Sequence, residues 1–127
     1  MNEENLVKLH ANHPRVFERK IEPQCADGWF DLIDTACQLI ERHLVNTPEV
    51  PFNLLQVKEK FGTMSFYYSG GDEYIRGVVN QAMAMSGSIC EISGDAGTPH
   101  ITNRGWIRTV SEKVAKDRDM APHAWGE

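Results

Sequence analysis

At 127 residues, 41% hydrophobic and 24% charged, the chain has the size and make-up of one folded domain, not of a disordered or multidomain protein. Its 13 basic against 18 acidic residues give a net charge of −5, which argues against a dedicated nucleic-acid binder, since phosphate contacts call for a basic surplus. Three widely spaced cysteines, apolar runs far below the roughly 20 residues that span a bilayer, and an acid-bearing start (Met1–Asn5) predict a cytoplasmic protein without disulfides or a membrane partner.

Residues 3–11, with Leu6, Val7 and Leu9, predict a short helix that ends before Pro14. Arg15–Gln24 reads as a connecting arm. Over 27–46 the residues Trp29, Leu32, Ile33, Ala36, Cys37, Ile40 and Leu44 recur at steps of three and four, the stripe of an amphipathic helix. Asp27 is its expected N-cap, and Cys37 is expected to be a small buried hydrophobe. After a loop with Pro48 and Pro51, 54–58 and 63–68 predict a hairpin around Lys60-Phe61-Gly62, closed by the turn Ser69-Gly70-Gly71.

Asp72–Met85 predicts a second amphipathic helix, with Tyr74, Ile75, Val78, Val79, Ala82 and Met83 on its stripe. Residues 86–109 are rich in Gly, Ser, Thr and Asn, with Trp106 and Ile107 expected to re-enter the core. Val110–Lys116 predicts a last helical turn. The fold class is α+β, two main amphipathic helices packed on a short antiparallel hairpin.

Motifs that would carry catalysis are missing from the sequence. No serine stands in a nucleophile elbow, no cysteine lies in a catalytic signature, and Ser69-Gly70-Gly71-Asp72 lacks the lysine and glycine spacing of a phosphate loop. Five histidines (10, 13, 43, 100 and 123) are scattered and expected mostly at the surface, His43 as a favourable charge near a helix C-terminus or a residue of the polar face. An enzyme assembled from His100, Cys90 and Asp95 has no support in spacing. The chain is expected to be a non-enzyme without cofactor.

Two surfaces are candidates for partners. Between Glu22 and Glu49 lie six acids and one basic residue, Arg42, so that Asp31, Asp34 and Glu41 mark an acidic helix face able to meet a basic partner. Lys58, Lys60, Arg76, Arg104 and Arg108, with Tyr67 and Trp106, form the alternative, an aromatic and basic patch able to stack bases. The plainer reading has the lysines blunting a sheet edge and Trp106 in the core. The hairpin edge also offers a route to a homodimer.

Asp27-Gly28-Trp29-Phe30-Asp31-Leu32-Ile33-Asp34, Gln56-Val57-Lys58-Glu59-Lys60-Phe61-Gly62, Phe66-Tyr67-Tyr68-Ser69-Gly70 and Gly105-Trp106-Ile107-Arg108-Thr109-Val110 together resemble a group of small, uncharacterised bacterial and phage proteins. The resemblance runs from about Pro14 to Ala115. It implies a C-terminal zinc-ribbon-like element with C-x-x-C after the second helix and C-x-x-H after the Gly-Trp pair. Here Cys90-Glu91-Ile92-Ser93 keeps one cysteine and Ser111-Glu112-Lys113-Val114 keeps no ligand. No bound metal is therefore expected, with packing around Ile89, Ile101, Trp106 and Ile107 in its place.

The resemblance thus divides the single domain into an N-terminal helix and arm (1–24), a helix–hairpin–helix core (25–87), a degenerate ribbon-like segment (88–116) and a flexible tail (117–127). The functional expectation is a protein-binding module of phage or prophage origin that inhibits or adapts a bacterial protein complex, by analogy with anti-CRISPR and other counter-defence inhibitors. The alternative is a nucleic-acid-associated accessory protein.

Overall fold

A computed structural model describes residues 1–124. Helix α1 (Glu3–Asn12) is followed by an arm, a 3-10 turn (Asp27–Trp29) and the long helix α2 (Phe30–Asn46). Strands β1 (Phe52–Lys60) and β2 (Thr63–Gly70) form an antiparallel hairpin with a bulge between Leu54 and Gln56. Helix α3 (Glu73–Ser86) comes next. Then β3 (Thr98–Ile101), β4 (Ile107–Val110), the short helix α4 (Glu112–Asp117) and β5 (Ala121–Pro122) complete the described chain. The fold is α+β, as its residue pattern predicts.

The periodicities explain the main core. Ile33, Ala36, Cys37, Ile40 and Leu44 face inward from α2, and Ile75, Val79 and Ala82 from α3. Leu54, Val57, Met64 and Phe66 supply the inner face of the hairpin, with Trp29, Leu9, Val16 and Phe17 in the same buried cluster. The arm is therefore part of the core and no mere connector. Cys37 is fully buried, and that burial pushes its thiol well above the usual pKa.

Several local expectations are corrected. Asp27 caps no helix: its carboxylate accepts the Asn2 amide at 2.7 Å and the Asn5 side chain at 3.0 Å, tying α1 to the start of α2. Residues 86–109 hold two strands that short, polar, glycine-punctuated sequence concealed, and β3 lies between β4 and β5. The tail is not frayed through 124. β5 pairs with β3, and Met120 packs with Cys90, Val110, Ala115, Ile92 and Val114 in a small second core. Residues 125–127 of the expected tail lie outside the described residues. His13 and His100 are buried, not superficial: one ring nitrogen of each donates, to Asp34 and to the Thr98 carbonyl, while His13 Nδ1 is buried without a partner among the described residues.

The turn into α3 joins it to α2. Asp72 caps α3 by accepting the Ile75 amide at 3.0 Å, and His43 Nε2 donates to its other oxygen at 2.6 Å while stacking on Tyr74. The His43 hydrogen bond, then the Ile75 amide, hold the Asp72 carboxyl below the usual carboxylate range. A folded-state pKa lowered in this way gives stability that is complete above the unfolded value, near 4, and is lost as pH falls through the folded one. Chemical denaturation across the acid range is expected to show a steeper loss below about pH 4 in the wild type than in Asp72→Asn. Parallel acid limbs would remove that link.

Candidate functional site

The acids of α2 do not form one free surface. Asp34 accepts from the buried His13 ring at 2.6 Å. Glu41 accepts the Arg15 amide at 2.9 Å and the Val16 amide at 2.9 Å, while Arg15 Nη1 donates to the Leu44 carbonyl. Both carboxylates satisfy the first amides and the histidine of the arm, a structural duty that charge counting does not reveal. Asp31 stays exposed.

Asp31 instead borders a groove between α2 and α3 with a volume of about 650 Å³. Leu32, Ala36 and Leu39 line it from α2, and Tyr74, Gly77, Val78, Ala82 and Met85 from α3, with Ile89 beyond them. Asp31 and Glu73 are the charged residues of its lining, and Arg76 of α3 reaches Glu73 at 3.4 Å on the exposed side. Leu39, Tyr74 and Met85 are large apolar side chains left exposed to water there. A Cβ added at Gly77 would meet no atom within 4 Å. Sequence reading placed Tyr74 on the core stripe and gave no weight to Leu39, Gly77 or Met85. A glycine in mid-helix was the available signal.

Lys58 and Lys60 lie on the outer face of β1, opposite Ser65 and Thr63 of β2, with Tyr67 opposite Gln56. The register puts the three predicted residues on one face, and there the Ser65 hydroxyl, then the Lys60 and Lys58 charges, hold the Tyr67 phenol below its usual pKa. At the hairpin tip Phe61 has a positive φ of 52° and is 68% exposed. Beside it, in the β3–β4 loop, Trp106 is 69% exposed, which corrects its expected place in the core. Lys60, Phe61 and Trp106 line one depression, and Trp106, Arg104 and Arg118 line the next. Phe61 and Arg118 were missed, since a turn aromatic and a tail arginine look ordinary in sequence.

Arg108 has a different task. Its Nε and Nη2 donate to Glu91 Oε1 at 3.1 and 2.7 Å, and Glu91 Oε2 accepts the Ala26 amide at 2.9 Å. Glu91 is only 1% exposed, so the pair is a paired internal charge joining β4 to the start of α2. The same seam explains the motif glycines. Gly28 donates its amide to the Glu91 carbonyl at 2.7 Å, and a Cβ there would stand 2.2 Å from the Cys90 carbonyl oxygen. Trp29 Nε1 donates to the Ile89 carbonyl, and Thr109 Oγ1 to that of Gly62.

Cys90 is buried at this seam with its Sγ 3.3 Å from the Ser93 amide. Burial raises its pKa, but the Ser93 hydroxyl and the Ser93, Ser111 and Ile92 amides outweigh burial and leave the thiol below its usual value. Ser93 lies against the sulfur, whereas the Ser111 hydroxyl caps α4 by accepting the Val114 amide at 3.2 Å, and Val114 packs in the small second cluster. One thiol, two hydroxyls and an isopropyl group do not suit zinc, which needs four nitrogen, sulfur or carboxylate donors. No group of three or more such side chains comes together among the described residues. In the expected packing around this element, Ile89 belongs to the main core and Trp106 is exposed, so Cys90, Val110 and Ala115 fill the space.

Compared with family models, curated proteins and solved structures, the chain matches none.

Proposed function

We propose that the chain is a non-enzymatic protein-binding module whose working surface is the groove between α2 and α3, and that its partner presents an amphipathic helix with basic flanks. Gly77 carries this reading. A helix-interior glycine destabilises by roughly 0.5–1 kcal/mol relative to alanine. Nothing among the described residues occupies the space that a methyl group would take there, so their packing gives no reason for it. An apolar trough kept open at its middle suits the close approach of another helix, the groove-docking mode in which apolar anchors recur at helical spacing.

Charge selects the partner. Asp31 and Glu73 border the trough, Glu73 in an exposed pair with Arg76, and the whole chain carries −5. A second copy packed across a two-fold axis would set these acids against themselves, whereas Lys and Arg flanking an apolar stripe would complement them. The resemblance to small bacterial and phage proteins extends the proposal to an inhibitor or adaptor of a bacterial complex, encoded by a phage or prophage.

The test titrates ¹⁵N-labelled protein with synthetic amphipathic helices, one of Leu and Lys, the other of Leu and Glu. The Leu/Lys peptide alone is expected to shift the amides of Leu39, Gly77 and Met85. Gly77→Ala is expected to raise unfolding stability by roughly 0.5–1 kcal/mol while weakening the peptide complex. Equal binding of both peptides, or shifts confined to other elements, would refute the proposal.

A further inference from the structure

We infer that a second surface, the strip from Tyr67 over the hairpin tip to Arg104, binds single-stranded nucleic acid by base stacking. Three exposed rings follow one another along it: Tyr67 on β2, Phe61 at the tip and Trp106 in the adjoining loop. Cations alternate with them. Lys58 and Lys60 flank Tyr67, and Arg104 and Arg118 border the far side of Trp106. Rings interleaved with cations match the alternation of bases and phosphates in an unpaired strand, where every base offers a face to stack on. Depressions of about 290 and 320 Å³ lie on the two sides of Trp106, leaving room for a planar base against each.

Phe61 supplies an independent observation. Phe61 and Gly62 form the two-residue turn, with φ values of 52° and 89°. Turns of that kind favour Asn-Gly, because a bulky side chain is strained at positive φ. Here a phenylalanine takes the strained position and also holds its ring in water. A strained backbone beneath a ring left mostly in water points to an external contact. Glu59 is the acid of this surface, and its carboxylate accepts the Gly62 amide at 3.0 Å. The net charge of −5 therefore does not describe this strip, whose own residues are mainly cationic.

The probe is a fluorescently labelled oligomer of about 12 nucleotides, as oligo-dT and as oligo-rU, followed by anisotropy against salt. Either strand chemistry is expected to bind, with affinity falling on a log–log slope of roughly −2 to −3. Trp106→Ala and Phe61→Ala are each expected to weaken binding about tenfold. Phe61→Asn separates function from folding: Tm is expected to rise by about 3 °C while binding falls. Gly77→Ala is expected to leave the strip unaffected. No binding at about 50 mM salt, or binding that both aromatic variants leave within twofold, would overturn the inference. So would a duplex bound as tightly as the single strand, or capture of a protein at this strip in place of nucleic acid.

Discussion

Glu91→Ala is expected to cost about 3 kcal/mol of stability and to lower Tm by about 10 °C. The variant strands the Arg108 guanidinium and leaves the Ala26 amide without its acceptor, both at the seam between the two cores. Arg108→Ala is expected to cost a comparable amount, because it leaves a carboxylate that is 1% exposed without its cation. The double variant Glu91→Met, Arg108→Met is expected to recover much of the loss, since two apolar chains of similar bulk need no partner. A double-mutant cycle by chemical denaturation measures the coupling. If Arg108→Ala leaves the midpoint unchanged, the arginine is free to serve a partner and the structural assignment fails.

Installing zinc ligands at the Cys90 corner is expected to have the largest gain. The Ser93 amide meets the Cys90 sulfur, and Ser111 caps α4 beside Val114, which packs in the cluster that holds Cys90. Ser93→Cys, Ser111→Cys and Val114→His would complete a four-donor set at those positions. The triple variant is expected to hold about one equivalent of zinc, and the wild type none. With free zinc a thousandfold above its Kd, the variant would gain about 4 kcal/mol of stability, reversible by a chelator. Failure of the variant to take up zinc would show that these four positions cannot face one ion, and tightly held zinc in the wild type would contradict the donor set described above.

The parts of the fold legible in sequence are those where one side chain decides its own environment. The 3.6-residue stripes of α2 and α3 and the alternation of Met64 and Phe66 report burial directly, and the helices and hairpin follow from them. Legibility ends where contacts are made over long sequence distances. Nothing near Glu41 in sequence indicates that it receives the arm amides of Arg15 and Val16, nor that Asp34 meets His13. The same distance hides Glu91 beneath Arg108, and turns an apparent acidic face into internal fastenings.

The candidate surfaces divide in the same way. Lys58, Lys60 and Tyr67 were recognisable together because they sit on one hairpin with period two. Trp106 was misplaced because a lone tryptophan in a polar stretch is most often buried, and only the β3–β4 loop lifts it out beside Phe61. The groove depended on how far apart two helices lie, which no periodicity encodes. Gly77 was its one trace in the sequence, and the comparison that gives it meaning is the empty space around its absent side chain.

The most direct measurement passes nuclease-treated bacterial lysate over immobilised wild type and Gly77→Arg, each shown to fold, and compares what is retained. The groove proposal predicts one dominant protein on the wild type, removed when Gly77→Arg fills the trough and places a cation beside Asp31 and Glu73. The same protein retained equally by both, or nothing retained by the wild type, would contradict it.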